Sequence, residues 1–421
     1  MMEPKIRLKG YSGEWIVETF SECFEPLKNN SLSRAELSDS GEVKNVHYGD
    51  VLIKFGECID TQKDRLPFIL DNEIGKHLYN ISPLQKGDII FADAAEDNTV
   101  GKCSEIVCKE GEAIVSGLHT IACRPKNEYA ERYLGYYLNS PSFHNQLLPH
   151  IQGTKISSIS RKAINTTSVH CPIDKKEQIS LASFFSNLDI LITVSVSKLE
   201  CLKQIKVASL QAMFPQGGES IPKLRFNGFE GEWKKVCLNE CLSVCKDKNT
   251  DNTYTKEDVL SVSDDYGICN QIKLLGRSYA GKSVANYGIL KKGDIVYTKS
   301  PLKAKPYGII KTNHCKTGIV STLYAIYSPK EGTCADFIEV YFDLPERLNK
   351  YIHPLVNKGA KNDMKVSSEN ALKGRIMIPS YEEQTKIADY FASLDRLITI
   401  QSHRLEKLRK IKAACLDEMF I

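Results

Sequence analysis

Two long amphipathic segments, one near the end of each half of the chain, dominate the pattern of apolar and polar positions. In both, apolar residues recur every three or four positions, which is typical of a helix with one apolar face. Neither segment contains Pro or Gly over about 40 residues, so each is predicted to form a helix roughly 60 Å long. The apolar faces consist of Leu188, Ile192, Leu199, Leu202, Ile205 and Met213 in the first segment and of Leu394, Ile398, Leu405, Leu408, Ile411 and Met419 in the second.

The parts of the chain outside these segments predict a mixed α/β fold. Short apolar runs that follow turn signals such as Gly-Asp predict strands at residues 51–55, 88–91 and 294–297. The segments 129–138 and 336–344 are predicted to be helices that follow these strands. The predicted class is therefore α/β (mixed α+β).

The chain is an internal repeat. The segment 4–15 returns as 222–233 with seven of twelve residues identical, and the two tryptophans of the chain coincide. A second block, 178–214, matches 384–420 without a gap, with 17 of 37 residues identical. Between these blocks the two halves diverge and share only short pairs such as Gly87-Asp88 and Gly293-Asp294. One scaffold therefore carries two different surfaces.

The repeat also predicts how the two helices pair. A long helix with a single apolar face needs a partner, and the other copy provides one. Because the first helix is followed directly by Pro-Gln-Gly-Gly at 215–218, parallel pairing would need a long return connection. We therefore predict an antiparallel coiled coil with an approximate two-fold. The predicted segments are 1–170 for the first domain, 171–214 for the central helix, 215–221 for a linker, 222–378 for the second domain and 379–421 for the C-terminal helix.

The composition indicates a globular protein of two or three domains. The 421 residues are 42% hydrophobic, with a mean hydropathy of -0.28, which argues against disorder. No uninterrupted apolar stretch is expected to span a bilayer, and the N-terminus lacks the apolar core of a signal peptide. No membrane association is predicted, and the predicted location is the cytoplasm.

The distribution of charge is more informative than the net charge of +4. From Lys291 to Lys316 the chain carries seven lysines and a single acid, Asp294. Such a segment can neutralise phosphates, but a solvated lysine-rich loop would have the same composition.

The cysteines give no clear metal site. The chain has fourteen of them and no Cys-x-x-Cys. Cys237, Cys241 and Cys245 are spaced in steps of four, which predicts one face of a helix, where thiols usually serve as small core residues. A metal site would need further ligands, and no His lies nearby in the sequence. We expect reduced thiols.

One segment matches a nucleotide-binding pattern. Residues 276–283 fit the phosphate-loop pattern G-x-x-x-x-G-K-[ST], with Lys282 as the phosphate ligand. In the first half Gly75-Lys76 stands at the equivalent place, but Leu70 and His77 replace the first Gly and the Ser. We interpret the Gly-Lys pair as a recurrent turn of the fold. The chain also has no Asn/Asp-Pro-Pro-aromatic motif and no zinc-binding H-E-x-x-H, so no catalytic residues are expected.

The two closing blocks resemble those of type I restriction–modification specificity subunits. The segment 379–384 (Pro-Ser-Tyr-Glu-Glu-Gln) leads to Leu394-Asp395 and to a long helix that ends at Met419-Phe420. The segment 172–178 (Pro-Ile-Asp-Lys-Lys-Glu-Gln) begins the same pattern in the first half, although its two lysines replace a more acidic run. The opening block at 222–233 is equally typical of these subunits, and the resemblance covers essentially the whole chain.

The resemblance implies a non-catalytic subunit with two target-recognition domains and two conserved helices in an antiparallel coiled coil. Each domain would recognise one half of a bipartite, asymmetric target in double-stranded DNA. Adenine methylation and ATP-driven cleavage would reside in partner subunits: two modification subunits and the restriction (motor-nuclease) subunits. These partners would use S-adenosylmethionine, ATP and Mg, and no cofactor is expected in this chain.

The candidate functional residues fall into two groups. Lysines on loops are expected to contact phosphates, and base recognition needs side chains that reach the groove edges. Exposed Gly-Lys turns would look the same in sequence. The candidate DNA contacts are Lys102, Lys155, Arg161, Lys282, Asn286, Lys299, Lys303, Lys305, Lys361, Asn362 and Lys365. The candidate seam and subunit-assembly residues are Leu188, Ile192, Leu199, Leu202, Ile205, Leu394, Ile398, Leu405, Leu408 and Ile411.

Three alternatives remain open at this point. A nucleotide-hydrolysing enzyme would use the phosphate-loop pattern, and a purely structural coiled-coil adaptor would need only the helices. A methylation system without a nuclease partner would look the same in this sequence.

Overall fold

The computed structural model describes residues 3–299, 305–358 and 364–421. The chain divides into two compact units, residues 1–196 with 403–421 and residues 197–402. Each unit therefore combines a globular part with portions of both long helices.

Among its described residues, the first unit contains thirteen short strands and seven α-helices, of which the last continues into the second unit. The strands are β1 Ile16–Thr19, β2 Phe24–Pro26, β3 Leu37–Ser38, β4 Lys44–Val46, β5 Cys58–Asp60, β6 Phe68–Ile69, β7 Ile89–Ala92, β8 Ala94–Ala95, β9 Cys103–Val107, β10 Ile114–Ser116, β11 Thr120–Pro125, β12 Ser157–Ser158 and β13 Ser168–Cys171. The helices are α1 Phe20–Cys23, α2 Tyr48–Ile53, α3 Asn72–Ile81, α4 Tyr133–Leu138, α5 Pro141–His144, α6 Arg161–Asn165 and α7 Lys175–Ala212.

A five-stranded sheet organises the first unit. Its order is β2-β11-β7-β9-β5, antiparallel except for the parallel β5–β9 pair. A four-stranded sheet, β10-β4-β6-β3, lies in the same unit, and β1 pairs with β13. A short β8–β12 pair joins the segment after β7 to the segment before α6.

The second unit contains twelve strands and five further helices in the part of the chain that the structure describes, and the last of these helices continues into the first unit. The strands are β14 Lys234–Cys237, β15 Leu242–Val244, β16 Leu260–Ser263, β17 Gly267–Asn270, β18 Gly288–Leu290, β19 Ile295–Tyr297, β20 Ile310–Thr312, β21 Gly318–Val320, β22 Ala325–Pro329, β23 Asn357–Lys358, β24 Met364–Lys365 and β25 Arg375–Ile378. The helices are α8 Leu238–Cys241, α9 Gln271–Leu275, α10 Ala335–Asp343, α11 Pro345–Ile352 and α12 Tyr381–Glu418.

The central sheet of the second unit follows the plan of the first. Its order is β15-β22-β19-β20, and β19 lies next to β22 as β7 lies next to β11. The β14–β25 pair corresponds to β1–β13, because both join the end of the opening block to the strand before a long helix. The mixed α/β prediction is confirmed.

The hydrophobic core of each unit contains an aromatic residue from the end of a long helix. In the first unit Phe420, just after α12, stacks on Phe185 of α7 with ring centroids 5.4 Å apart. In the second unit Phe214, just after α7, lies 6.3 Å from Phe391 of α12 and meets Trp233 edge-on at 5.8 Å. Within each unit, therefore, the end of one long helix packs against the beginning of the other.

The two long helices are 38 residues each, as the periodicity predicts. The buried and half-buried positions of α7 alternate in steps of four and three, at 188, 192, 195, 199, 202, 206, 209 and 213, and α12 repeats this at 394, 398, 401, 405, 408, 412, 415 and 419. The predicted seam positions Ile205 and Ile411 are wrong, since they are 41% and 38% exposed. An average spacing of 3.5 residues places Lys206 and Lys412, one position further along, in the seam instead.

No uninterrupted apolar stretch of membrane length occurs in α7, but the helix is apolar on average over a long window. Helix α7 contains an 18-residue window with a mean hydropathy of 1.7, of which 28% is buried. By length and composition alone this window could cross a membrane. The exposed apolar residues outside the seam, among them Ile190, Leu191 and Val194, account for this high hydropathy.

Two local predictions fail. Residues 51–55 lie in and just after α2 and do not form a strand, because His47 caps the helix by accepting from the Gly49 amide at 3.2 Å. The three spaced cysteines do not share a helix: Cys237 ends β14, Cys241 ends α8 and Cys245 follows β15. The predictions at 88–91, 294–297 and 336–344 are confirmed as β7, β19 and α10, while the helix at 129–138 shortens to α4.

Candidate nucleic-acid interface and its framework

In each half, a buried ion pair joins the opening block to the long helix. Arg7 Nε and a terminal guanidinium nitrogen donate to the two oxygens of Glu177, both at 2.8 Å. Arg225 meets Glu383 in the same way, at 2.8 and 2.7 Å. Both carboxylates are almost completely buried. These hydrogen bonds raise the pKa of Arg7 and of Arg225. The two repeated sequence blocks are thus physically joined.

The glutamine of each closing block ties the helix to the globular part. The side-chain oxygen of Gln178 accepts from the Ala130 amide at 3.0 Å, and that of Gln384 accepts from the Cys334 amide at 2.9 Å. Each glutamine also donates to the carbonyl of the proline that opens its motif, at 3.0 and 3.1 Å. The Glu-Gln motif therefore fixes each helix on its own unit.

A half-buried lysine in the seam of α12 forms an ion triad in the first unit. Lys412 Nζ lies 2.8 Å from a Glu57 oxygen and 2.6 Å from Asp189 Oδ1 on α7. Burial by itself lowers the pKa of Lys412, but the charges of Glu57 and Asp189 outweigh it, and the pKa is raised. The triad holds the last turns of α12 against α7 and the globular part.

The second unit contains the matching triad. Lys206 Nζ of α7 lies 2.6 Å from Asp343 Oδ2 and 2.7 Å from Asp395 Oδ1 on α12. Lys206 and Lys412 stand 206 positions apart, as do the two helix aspartates. A lysine at a seam position in both copies of the repeat, together with the repeated Leu-Asp, was the sequence signal for these triads.

The predicted DNA contacts of the first unit separate into structural and exposed residues. Lys102 Nζ donates to the carbonyls of Leu52 and Phe55 at 3.0 and 2.8 Å, and burial lowers its pKa. Lys102 therefore caps the end of α2 and is not available to a phosphate, contrary to the prediction. Half-buried Arg161 donates to the Leu27 carbonyl at 2.8 Å.

Lys155 is exposed on a tight loop before β12. Gly153 in this loop has a φ of +104°, and a Cβ there would lie 2.0 Å from the Ile156 carbonyl oxygen. Glycine is therefore required at this position, and it gives the loop the shape that presents Lys155.

In the second unit, Lys282 and Asn286 are exposed, while Lys299 is half-buried. Lys299 has a φ of +55°, and burial lowers its pKa. Lys303, Lys361 and Asn362 lie outside the described residues. Lys365 belongs to β24, and its side chain is likewise outside the described part.

The lysine-rich segment is much less positive than its sequence suggests. Lys291 pairs with Asp247 at 3.0 Å, and Lys305 pairs with Asp264 at 2.7 Å. Buried Lys311 lies 3.2 Å from Glu339. Three of the seven lysines are thus neutralised by acids distant in sequence, which reduces the predicted phosphate-binding charge.

An exposed polar group in the first unit escaped the sequence analysis. Asp93 directly follows β7, and His119 directly precedes β11, with the His119 Nδ1 atom 3.1 Å from Asp93 Oδ1. Burial raises the pKa of Asp93. The His119 ring meets Tyr48 edge-on at 5.2 Å, and its side chain is 52% exposed. We call Asp93, His119 and Tyr48 the first tip.

The phosphate-loop pattern lacks the surroundings that nucleotide binding needs. Gly276 ends α9 with a φ of +76°, and residues 277–287 form no helix that could direct its N-terminus at a phosphate. The interpretation of Gly75-Lys76 as the same turn is wrong, because that pair lies inside α3. The two Gly-Lys pairs thus do not share a structure.

One cluster has ligand types suited to a metal. The donor atoms of His314, Asp336 and Glu339 lie within 4.8 Å of one another. His314 already pairs with Asp336 at 3.2 Å, and Glu339 pairs with Lys311 and accepts from the Thr312 amide at 2.7 Å. A cation would have to displace these partners.

Comparisons with known proteins agree with this architecture. A curated relative from Methanocaldococcus jannaschii, described as the specificity subunit of the type I restriction enzyme MjaX, is 24% identical over 427 aligned positions. The alignment covers 95% of this chain and 91% of the relative. No protein-family model matches the chain.

Two solved structures share the fold over nearly their whole length. The S subunit of the type I restriction–modification system of M. genitalium gives a TM-score of 0.57 at 11% identity, covering 100% of this chain and 99% of its own. The chain has the fold of a type I specificity subunit. A chain from a structure on complex assembly and conformational transition of the type I system gives 0.52 at 16% identity, with 96% and 97% covered.

Proposed function

We propose that this chain is the non-catalytic DNA-specificity subunit of a type I restriction–modification complex. Each unit would recognise one half of a bipartite, asymmetric target in double-stranded DNA. Adenine methylation or restriction would be carried out by partner subunits, which would supply the sites for S-adenosylmethionine, ATP and Mg. The complex would act in the cytoplasm.

The observation that carries this proposal is one framework repeated around two different surfaces. Both units close through an Arg–Glu ion pair, a glutamine bridge and a lysine triad of matching geometry. The segments between these shared contacts differ in sequence and charge. Equivalent frameworks with divergent surfaces suit two recognition domains that bind different half-sites.

The long helices would set the distance between the half-sites. The packing of Phe420 on Phe185 and of Phe214 near Phe391 favours an antiparallel coiled coil, because in each case the end of one helix meets the beginning of the other. Helices of roughly 60 Å could separate two half-sites by more than one DNA turn of about 34–36 Å.

Two modification subunits would dock on the outer faces of the long helices. On α7, Ile190, Leu191 and Val194 are exposed, and on α12 Leu397 and Ile400 are exposed. Apolar side chains at such positions suit the apolar face of a partner helix. The apolar window of α7 would then serve protein contacts, and a lipid-binding role would instead make the assembled complex sediment with membranes.

The direct test is co-expression with modification subunits, followed by mapping of methylated adenines across the genome. We expect methylation at one bipartite sequence with a fixed spacer. Methylation at a continuous sequence would contradict the proposal. So would a methylation level equal to that of cells that express the modification subunits without this chain. A restriction assay on unmethylated DNA then separates a restriction system from a methylation system without a nuclease.

Glutamate substitutions on α7 should separate folding from assembly. Leu191→Glu places a charge on the exposed outer face, so the chain should keep its thermal unfolding midpoint and lose co-purification with modification subunits. Leu199→Glu buries a charge at a position that is 8% exposed and should cost several kcal/mol, on the order of 3. If Leu191→Glu assembles as the parent does, this face is not the docking site.

The purified chain should not hydrolyse ATP. The reason is structural, since the segment 276–283 lacks the strand–loop–helix setting of a phosphate loop. A sensitive phosphate-release assay should give the same background for the parent and for Lys282→Ala. Turnover in the parent that disappears in the variant would favour the nucleotide-hydrolase alternative.

A further inference from the structure

We propose that one structural position, at the end of the central strand pair, sets the base preference of each half-site. In the first unit this position holds the first tip, with His119 beside Asp93. In the second unit the geometry assigns it to Lys299 and Leu323, which we call the second tip. The inference rests on the proposed function and deepens it.

The equivalence of the two tips follows from the register of the sheets. Strands β7 and β19 each follow a Gly-Asp pair, 206 positions apart. Phe91 of β7 lies opposite Ile121 of β11, and Tyr297 of β19 lies opposite Ala325 of β22. Two residues further along each pair of strands, the chain reaches Asp93 and His119 in the first unit and Lys299 and Leu323 in the second.

The chemistry of the two tips is opposite, although the scaffold is the same. The first tip presents a carboxylate and an imidazole, and the second presents an ammonium group and an aliphatic side chain. An imidazole can donate to or accept from a base edge, a lysine suits guanine O6 and N7, and an aliphatic group suits the thymine methyl. Equivalent positions with such different groups would select different bases.

Each tip has one well-exposed side chain and one residue in a left-handed backbone conformation. His119 is 52% exposed and Leu323 is 65% exposed. His119 has a φ of +54° and Lys299 a φ of +55°, a left-handed conformation that costs non-glycine residues free energy and concentrates at ligand contacts.

The first tip is also held rigidly. Thr120, the next residue, donates through Oγ1 to the Gly117 carbonyl at 2.5 Å and lies 2.7 Å from Ser116 Oγ. The Asp93 amide donates to the His119 carbonyl at 3.1 Å. A rigid support lowers the entropy cost of placing a side chain at a base edge.

Phosphate contacts could flank this tip. The Asp93 carbonyl accepts from the Ile159 amide at 2.9 Å, and β8, directly after Asp93, pairs with β12. The register places Ile159 beside Asp93 and Ser157 opposite Ala95, so the loop with Lys155 lies further along the same strand pair, beyond Ala95. Lysine would position the DNA backbone there, while His119 would contact the bases.

The test compares methylation motifs of co-expressed complexes. His119→Asn removes the imidazole and keeps a side chain that tolerates positive φ. His119→Gly also tolerates positive φ but removes the side chain altogether. We expect either variant to change the preference at one base pair of one half-site by roughly tenfold or more, since a good base contact discriminates by about 1–3 kcal/mol. Leu323→Ala should do the same in the other half-site. His77→Asn, on the exposed face of α3, is the matched control.

The outcomes separate this inference from the proposed function. Unchanged motifs in the tip variants, with the parent methylating a bipartite sequence, would overturn the inference alone. An equal loss at all sites without altered preference would also overturn it, because it would indicate backbone contact. A parent complex that methylates no bipartite sequence would instead refute the proposed function. Thermal unfolding midpoints equal to that of the parent show that the variants are folded.

Discussion

Exchanging residues 16–171 for the corresponding domain of another specificity subunit should change one half-site of the methylated sequence and leave the other unaltered. These boundaries keep the β1–β13 pair within the exchanged piece, because Ile16 lies opposite Cys171. They also keep Arg7 and Glu177 in the parent chain, so this buried ion pair is retained. Methylation mapping of the chimera gives the result directly.

The spacer should respond to a different change. Insertion of seven residues into both long helices, after residues 196 and 402, preserves the heptad pattern of each seam. We expect an altered spacer or a complete loss of methylation, with no change in the identity of either half-site. If both half-sites changed together in the domain chimera, the model of two independent recognition domains would be wrong.

Lys412→Glu should cause the largest loss of stability of any single substitution considered for the first unit. It replaces the cation between Glu57 and Asp189 by a third acid, at a side chain that is only 14% exposed. Breaking a buried ion pair costs about 3–5 kcal/mol. Because Asp189 is one-third exposed and partly screened, we expect the lower part of this range. Thermal unfolding followed by hydrogen exchange would locate the loss in the first unit.

Two further variants make this result specific. Lys407→Glu changes the net charge equally at an exposed position of the same helix and should have little effect. The combination of Lys412→Glu with Asp189→Lys restores an opposite-charge pair across the two helices and should recover part of the stability. If Lys412→Glu and Lys407→Glu behaved alike, the triad would contribute nothing to the packing of α12.

The triads also show why a seam residue can be misassigned from sequence. Hydrophobicity selects Ile205 and Ile411, which lie three positions after Leu202 and Leu408. The alternation of three and four residues selects the next position, and there a lysine is buried only because two acids from other parts of the fold neutralise it. The third members, Glu57 and Asp343, are distant in sequence and belong to no repeated motif, so the helix pattern alone could not indicate them.

The DNA-contact candidates illustrate the same limit. Lys102 and Lys155 look equivalent in sequence, but one ammonium group caps α2 and the other is exposed. His119 and Leu323 carry no motif, and their equivalence appears only in the pairing register of the strands. Sequence offset alone would have aligned His119 with Ala325.

The sequence by itself determined the properties that repeat along the chain. These are the two equivalent halves, the long helices, the mixed α/β class and the Arg, Glu-Gln and Met-Phe motifs that frame each half, because periodicity and self-similarity are one-dimensional signals. Only the tertiary structure decided which charged side chains are already paired and which of them remain exposed. Ion pairing and burial depend on residues far apart in the chain, so the surface available to DNA exists only once the chain has folded.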